Sequence, residues 1–362
     1  MIRLRLLSPF AVLTSTLIVA PFLVAAPPAS DPVDRAPAGH APGAAERPWF
    51  SSGFNAPVQL GSHPETGRPT MLGRDPQTGF DWVADMPAET ANFFYRSAPE
   101  DAAAYGPTVL EELPGRDGAV TRALRMEVTG RDPALPAGAL NRNEFSLFHP
   151  GYEQAYTRYW MKLQDNYLEV APRDHEKSWR MFFEIKEPDS GARRVAAADN
   201  RHTGTNNYRM SFYVRRKPEG ALYWHLRGEA PQPIRTVDWD LFNDAVPVPV
   251  GRWFLVEVFF RRAAEDGIVW LAIDRQQVFL HRGRTQHPEH ALPIAFYSPF
   301  KLYLSPEWLA SGPNRQWIDD VEFWPDFPAD ATPVEEGKAN VSTFRPPIAG
   351  SARASSPAPA VK

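Results

Sequence analysis

The segment SWRMFFEIKEPD, from Ser178 to Asp189, alternates apolar and polar side chains with a period of two. This alternation is typical of a β-strand, whose successive side chains point to opposite faces of a sheet. The predicted apolar face carries Trp179, Met181, Phe183 and Ile185. The predicted opposite face carries Arg180, Phe182, Glu184 and Lys186. A face with several ionisable groups can bind a charged ligand or transfer protons.

The same alternation gives several other predicted strands an outward face that is rich in cationic and aromatic side chains. Those residues are Arg142, Glu144, Arg158, Trp160, Lys162, Arg209, Tyr213, Arg215, Tyr223, His225, Arg227, Lys301 and Tyr303. Because the formal net charge of the chain is −4, this local excess of positive charge predicts an anionic partner. The interleaved rings offer flat surfaces on which sugars can stack. An ordinary wet sheet face is the alternative, and it would show mixed signs with more Ser, Thr and Glu.

An acidic polysaccharide built from uronic acids can be cleaved by β-elimination. A cation or amide neutralises the C6 carboxylate, a base removes the C5 proton, and an acid protonates the leaving O4. Arg142, Lys186, His225 and Tyr303 supply these side-chain types. Two other interpretations stay open. One is non-catalytic carbohydrate binding by the same face, and the other is hydrolysis, for which Glu144 and Glu184 are the candidate carboxylate pair.

Short period-two segments bounded by Gly, Pro, Asn and Asp must position these residues. They run through TRALRMEV, EFSLFH, AYTRYWMKL, NYRMSFYVRR, ALYWHLRGE, RWFLVEVFFRR, GIVWLAIDRQQVFLH, PFKLYLS and RQWIDDVEFW. Many short strands with turn residues between them predict an all-β sandwich of two antiparallel sheets, a jelly roll. Apolar residues make up 43% of the chain, which is enough for a sizeable core. One short helix is predicted over PEDAAAYGPTVLEEL.

The two ends of the 362-residue chain have a different composition. Two arginines, an apolar run and small residues at 24–26 predict a signal peptide over 1–26, and hence a secreted or periplasmic protein. An uncleaved membrane anchor is the alternative, which Pro9 and Pro21 disfavour. A Pro/Ala-rich linker is predicted over 27–49, the folded domain over 50–328, and a disordered tail over 329–362.

Cofactor chemistry is restricted by composition. The chain has no cysteine, which excludes disulfides, a thiolate nucleophile and cysteine-bound zinc. No cofactor is expected to be required, although Asp319 and Asp320 are candidate ligands for a structural Ca²⁺. We expect no binding to nucleic acid and no stable membrane association after signal cleavage. The protein is expected to be a monomer.

The order of four motifs resembles that of secreted polysaccharide lyases with a concanavalin A-like jelly roll, the alginate, glucuronan and heparin lyase type. Arg142-Asn143-Glu144 is similar to their Arg-x-Glu strand, and SPFKLYLS to their late strand with Lys and Tyr. VGRWFLVEVFF and the closing WIDDVEFW are similar to their Gly-x-Trp strand start and last strand. The resemblance covers roughly 119–324. It implies a concanavalin A-like fold and lyase activity on an acidic polysaccharide.

The resemblance also implies roles for individual residues. Arg142 would bind the substrate carboxylate, and Tyr303 would donate the proton or act as both donor and base. The middle motif departs from the family pattern, because Glu184-Ile185-Lys186 stands where those lyases have Gln-Ile/Val-His. Lys186 then takes the position of the base, and His225 on a neighbouring strand is a candidate replacement for the missing imidazole.

Overall fold

The computed structural model describes residues 46–86, 90–95, 106–129, 142–148, 150–174, 176–187, 208–230, 236–287, 292–309 and 312–336. They belong to one compact unit, Ala44–Lys362, whereas the other unit, Met1–Gly43, lies outside the described residues. The predicted signal peptide and most of the predicted linker and tail are therefore also outside them. Among the described residues, no helix has the length and hydrophobicity needed to cross a membrane.

Most described strands belong to two large antiparallel sheets. The front sheet has, in spatial order, β12 (Thr236–Asn243), β11 (Leu222–Ala230), β10 (Arg209–Arg216), β9 (Arg180–Lys186), β16 (Phe296–Leu304), β7 (Arg142–Phe148) and β4 (Thr90–Tyr95). The back sheet has β15 (Gln276–Gly283), β14 (Gly267–Ile273), β13 (Trp253–Arg261), β8 (Gln154–Leu163), β17 (Asn314–Trp324), β6 (Val120–Val128) and β5 (Thr108–Pro114), and β1 (Phe50–Ser52) pairs with β17.

Three smaller features complete the described secondary structure. Strands β2 (Gln59–Ser62) and β3 (Pro69–Leu72) form a separate antiparallel pair, and helices α1 (Tyr167–Val170) and α2 (Pro306–Leu309) are single turns. The predicted all-β, concanavalin A-like jelly roll of two antiparallel sheets is confirmed. The predicted helix is wrong in its second half, because that half is strand β5.

The chain passes repeatedly from one sheet to the other, so strands distant in sequence become neighbours. Strand β16 lies between β9 and β7, and β17 lies between β8 and β6. Apolar side chains from both sheets meet in one core, to which the front sheet contributes Phe183 and Phe300 and the back sheet contributes Val256 and Phe323. The predicted alternation arises because each sheet has one face on this core.

The described fold extends beyond the predicted domain limits of 50 and 328. At the start, the backbone N–H of Trp49 donates to Phe323 O at 2.7 Å. At the end, residues 325–336 cover a second apolar cluster on the outer face of the back sheet, where Phe327 packs on Tyr156 and Trp270.

Glu257 of β13 fastens this C-terminal segment from a fully buried position. Its carboxylate accepts hydrogen bonds from Tyr156 Oη at 2.7 Å and from the backbone N–H and Oγ1 of Thr332 at 3.0 and 2.5 Å. Arg275 Nη1 lies 3.4 Å from the same carboxylate. A buried donor without an acceptor costs free energy, because it has lost its hydrogen bonds to water and gained none in the protein. By accepting from these donors, the Glu257 carboxylate stabilises the folded state.

We expect Glu257→Ala to lower the free energy of unfolding by about 3 kcal/mol or more, because several buried donors would lose their partner. The exposed Glu265→Ala is the control and should change it by less than about 0.5 kcal/mol. Urea denaturation measures both. Equal effects of the two substitutions would contradict the role given to Glu257.

Candidate active site

The outer face of the front sheet brings together side chains from five strands. Antiparallel registers place Lys301 opposite Glu144, Glu184 opposite Ser298, and Lys186 opposite Arg209. These pairs come from β7, β16, β9 and β10, and β11 adds Arg227 and Glu229. The site therefore depends on sheet order rather than on nearness in sequence.

Strand β9 contains a β-bulge that changes which of its residues face the site. Phe212 and Tyr213 of β10 lie opposite Phe183 and Met181, so Phe182 is the extra residue. A one-residue shift exchanges the two faces of a strand, and both Phe182 and Phe183 lie in the core. Beyond the bulge, Glu184 and Lys186 face outward as predicted.

The predicted face of the residues before the bulge is wrong. Arg180, predicted on the substrate face, points into the sandwich, where its Nη2 donates to Arg315 O at 3.0 Å and Gln316 Oε1 at 3.1 Å. Trp179 and Met181, predicted in the core, line the outer pocket instead. The alternation in the sequence does not show where an extra residue interrupts the strand. It therefore could not predict that the residues before Phe182 face the opposite side.

A network of ion pairs forms the floor of the site. The fully buried Lys301 contacts the carboxylates of both Glu144 and Glu184 through its Nζ. Glu184 also lies 2.6 Å from Arg209 Nε and 3.0 Å from Lys186 Nζ, and Arg142 Nη2 lies 3.5 Å from Glu144. Two carboxylates thus hold four cations.

Above this floor lies a pocket of about 270 Å³. Its cationic lining residues are Arg142, Lys186, Arg209, Arg215, Arg227 and Lys301. Its remaining lining residues are Glu184, Glu229, Trp179, Met181, Tyr213 and Tyr303. The lining has six Lys and Arg side chains against two carboxylates, and Glu144 and Asp240 pair with some of these cations from outside the lining. The remaining excess of basic groups makes the pocket suited to an anion, and three aromatic rings give it flat walls.

The electrostatic surroundings separate the acids from the amine. Burial acts to raise the pKa of Glu184, but Lys186, Lys301 and Arg209 hold that pKa well below its usual value. Burial also acts to raise the pKa of Glu144, but the charges of Arg142 and Lys301 lower that pKa below its usual value. Burial lowers the pKa of Lys186 to about 7, against the opposing effect of Glu184. Both carboxyl groups are therefore ionised at neutral pH, whereas the amine is partly neutral.

His225, predicted as a catalytic imidazole, does not line the pocket. It is buried under Tyr213, stacked between the rings of Tyr213 and Phe242 at centroid distances of 5.0 and 4.7 Å. Its Nε2 hydrogen-bonds Asp240 Oδ1, and burial lowers its pKa to about 3. A neutral His225 donates this hydrogen bond, so it supports Tyr213 rather than meeting a substrate in this structure.

The Asp240 carboxylate also orients a pocket residue. Arg227 donates to it through Nε at 3.2 Å and Nη2 at 2.8 Å. Tyr223, another predicted binding residue, lies buried beside Phe242 and outside the pocket lining. Asp240 and Glu229 are not among the predicted site residues. Two patterns would have indicated them. Acidic and apolar residues alternate in TVDWDLFN, which contains Asp240, and Glu229 alternates in step with the outward-facing residues of ALYWHLRGE.

Three predicted binding residues lie on the other side of the molecule. Arg158, Trp160 and Lys162 belong to β8, in the back sheet, and point away from the core there. The prediction of one continuous surface is wrong for these three residues. The alternation gives two faces for each strand, but it does not say to which of the two sheets a strand belongs.

Asp319 and Asp320, the predicted Ca²⁺ ligands, also lie on the back sheet, where protein donors contact both. Asp319 Oδ2 accepts from Thr121 Oγ1 at 2.7 Å, and Asp320 Oδ2 pairs with Arg116. Burial, together with the Asp320 charge, raises the pKa of Asp319 to about 7. Among the described residues, no group of three or more His, Asp and Glu side chains converges to hold a metal ion. The Ca²⁺ site stays a prediction.

Comparison with known proteins finds similarity only at the level of structure. No family model and no curated protein matches the sequence. The alginate lyase Aly36B has 10% identity and a TM-score of 0.41, and the match covers 66% of this chain and 97% of that one. The endo-β-1,4-glucuronan lyase of the fungus Trichoderma reesei has 15% identity and a TM-score of 0.42, covering 66% and 99%.

A third similar structure is the alginate lyase vAL-1 from Chlorella virus, with 9% identity and a TM-score of 0.36. The match covers 60% of this chain and 89% of that one. The structural neighbours thus include alginate and glucuronan lyases.

The most specific property of the site is the pKa of Lys186. We expect NMR of the lysine side chains to show one signal that titrates near pH 7 and is absent from Lys186→Met. Burial disfavours the ammonium form, which is the physical reason for the low midpoint. A midpoint near the ordinary lysine value of about 10.4 would contradict the described surroundings of this amine.

Proposed function

We propose that the protein is an exported polysaccharide lyase that cleaves a uronate-containing polysaccharide by β-elimination. One observation carries the proposal. An amine with a pKa of about 7, Lys186, lines the same cation-rich pocket as the phenol of Tyr303. The predicted signal peptide supports export, because such a segment directs a protein to secretion.

The reaction requires the charge on the C6 carboxylate to be neutralised, since the carbanion that forms at C5 delocalises into that group. Arg142 and Arg215 both line the pocket, and Arg142 is already oriented by Glu144. Their guanidinium groups can bind a planar carboxylate through paired hydrogen bonds. Binding there makes the C5 proton more acidic and fixes the sugar in the pocket.

Lys186 is the proposed base. Its neutral amine takes the C5 proton, the C5–H electron pair forms the C4–C5 double bond, and the C4–O4 bond breaks. A base with a pKa near the working pH combines a useful neutral fraction with adequate proton affinity. The buried cation Lys301 also disfavours the charge on Lys186, which helps to keep that fraction neutral.

Tyr303 is the proposed acid, and its phenolic proton goes to the departing O4. Lys301 Nζ lies 5.3 Å from the centroid of its ring, and the Arg142 guanidinium lies 5.9 Å from it. These positive charges stabilise the phenolate that remains after proton transfer. The ammonium of Lys186 then returns its proton to solvent, and Tyr303 regains one, which completes the cycle.

Hydrolysis fits the site less well. A glycosidase needs one carboxyl group that stays protonated to act as the general acid. Both Glu144 and Glu184 have lowered pKa values and share the Lys301 ammonium. Neither can supply a proton at neutral pH, so this carboxylate pair lacks the acid that glycoside hydrolysis requires.

Non-catalytic binding is the second candidate, and one contact favours it. Lys186 Nζ lies 3.0 Å from Glu184 Oε2, a separation at which the pair can retain its proton. A permanently charged Lys186 would only add to the attraction for a polyanion. If substitution of Lys186 abolishes activity but preserves polymer binding, the protein is a lyase and not only a binding protein.

We expect the purified protein to release products with the ultraviolet absorbance of a C4–C5 double bond from glucuronan or alginate. Lys186→Met and Tyr303→Phe should each lower the rate by about 100-fold or more, since each removes a proton-transfer group. Lys162→Met, on the back sheet, is the matched control and should keep the rate. Binding of these polymers without any release of unsaturated product would establish the non-catalytic alternative.

The pH dependence follows from the form of Lys186 that acts. Only the neutral amine accepts a proton, and its fraction increases as pH rises through about 7. We therefore expect kcat/KM to rise about tenfold per pH unit below that point and to level off above it. A rate that falls as pH rises through 7 would mean that the ammonium form is required, which contradicts the proposed base.

A further inference from the structure

We infer that the back sheet carries a second carbohydrate-binding pocket, which takes a neutral sugar. A cavity of about 420 Å³ opens on its outer face, and its lining includes Trp160, Gln77, Arg116, Arg158, Asp320 and Glu322. This volume lies within the range of about 300–1,000 Å³ that small-molecule sites occupy. The inference does not depend on the proposed lyase activity, because no residue lines both pockets.

Charge balance distinguishes this cavity from the front pocket. Three arginines line it, Arg116, Arg158 and Arg275, and three carboxylates face them, Asp320, Glu322 and Asp330. The cations are engaged by protein acids. Arg158 donates to Glu322 at 2.9 and 3.2 Å and to Asp330 at 2.8 and 2.9 Å. With no surplus of positive charge to attract a polyanion, the cavity suits a ligand without net charge.

Hydrogen bonds within the protein connect several of the lining groups. Glu322 also accepts from Trp324 Nε1 at 2.7 Å, and Thr78 Oγ1 donates to Ser51 O at 2.6 Å. Asn55 Nδ2 donates to Gln77 Oε1 at 2.9 Å. Groups that are already ordered lose little conformational entropy on binding, which favours recognition of a weakly interacting sugar.

Glycine at position 53 keeps part of the cavity open. A Cβ atom there would lie 2.8 Å from Asn55 Nδ2, 3.0 Å from Asp320 Oδ1 and 3.4 Å from Gln77 Oε1. Alanine would therefore fill the space between three polar groups that a hydroxyl group could reach. The two nearest atoms, Asn55 Nδ2 and Asp320 Oδ1, both end flexible side chains, so the backbone that follows β1 can keep its course when a methyl group fills this space.

Trp160 supplies the flat surface that a pyranose requires. The side chain points outward from β8 and is partly exposed, and the Arg116 guanidinium lies 4.9 Å from the ring centroid. Arg116 covers one face of the indole, so the C–H face of a neutral sugar can pack on the ring surface that stays exposed. The sugar hydroxyls can exchange hydrogen bonds with the surrounding carboxylates, guanidiniums and Gln77. Such a ligand uses donors and acceptors together, which the balanced lining offers.

The test uses the full chain and calorimetric titration with neutral cello- and manno-oligosaccharides, with oligoglucuronate as the charged comparison. We expect a neutral oligosaccharide to bind, and Trp160→Ala to weaken it by about tenfold or more, since the stacking surface is lost. Gly53→Ala should also weaken the binding of the neutral sugar. This second variant keeps the test valid if Trp160→Ala fails to fold. Tyr303→Phe, in the front pocket, is the control and should leave this binding unchanged.

Three results would overturn the inference. The first is that no neutral oligosaccharide binds. The second is that binding is unaffected by both Trp160→Ala and Gly53→Ala in variants that fold. The third is that these substitutions weaken oligoglucuronate binding but leave neutral sugars unaffected. A wild-type protein that binds a neutral oligosaccharide but has no lyase activity would reject the proposed function and leave this second site standing.

Discussion

A buried lysine between two carboxylates determines how the front sheet presents its charge. Lys301 is fully buried and contacts Glu144 and Glu184, which in turn hold Arg142, Lys186 and Arg209. Removing either acid would leave buried cations unpaired, a change that costs several kcal/mol in comparable sites, about 3–5. Glu184 lines the pocket together with these cations, whereas Glu144 lies outside the lining. A chain with a net charge of −4 thereby contains a cation-rich pocket.

The same network divides the chemical roles. Cations around Glu144 and Glu184 keep both carboxyl groups ionised, so they act as fixed charges and not as proton donors. Burial and the neighbouring Lys301 disfavour the charge on Lys186, so its amine can exchange protons near neutrality. The pKa values of both carboxyl groups and of the amine are lowered, which favours the charged form of the acids and the neutral form of the amine. Strongly perturbed pKa values within one pocket are expected where proton transfer occurs. Glu184 is thus both the partner that holds Lys186 and the main influence opposing its deprotonation.

Much of the fold and part of the site could be predicted from the sequence, because alternation reports which residues face a core. It correctly placed Arg142, Glu184, Lys186, Arg209 and Tyr303 on one outer face. It failed for Arg180, since the bulge at Phe182 exchanges the faces of the strand, and a bulge leaves no compositional signal. It failed for Trp160, because membership of a sheet is decided by long-range pairing rather than by the local pattern.

The two faces of the sandwich now have different properties: a cation-rich pocket in front, and a charge-balanced one behind. The central claim is that the front pocket removes a C5 proton and does not add water. Mass spectrometry of the oligosaccharides released from glucuronan or alginate tests it most directly. We expect new non-reducing ends with a C4–C5 double bond, each lighter by one water than a hydrolysed end. Saturated ends, or bound polymer that stays intact, would contradict it.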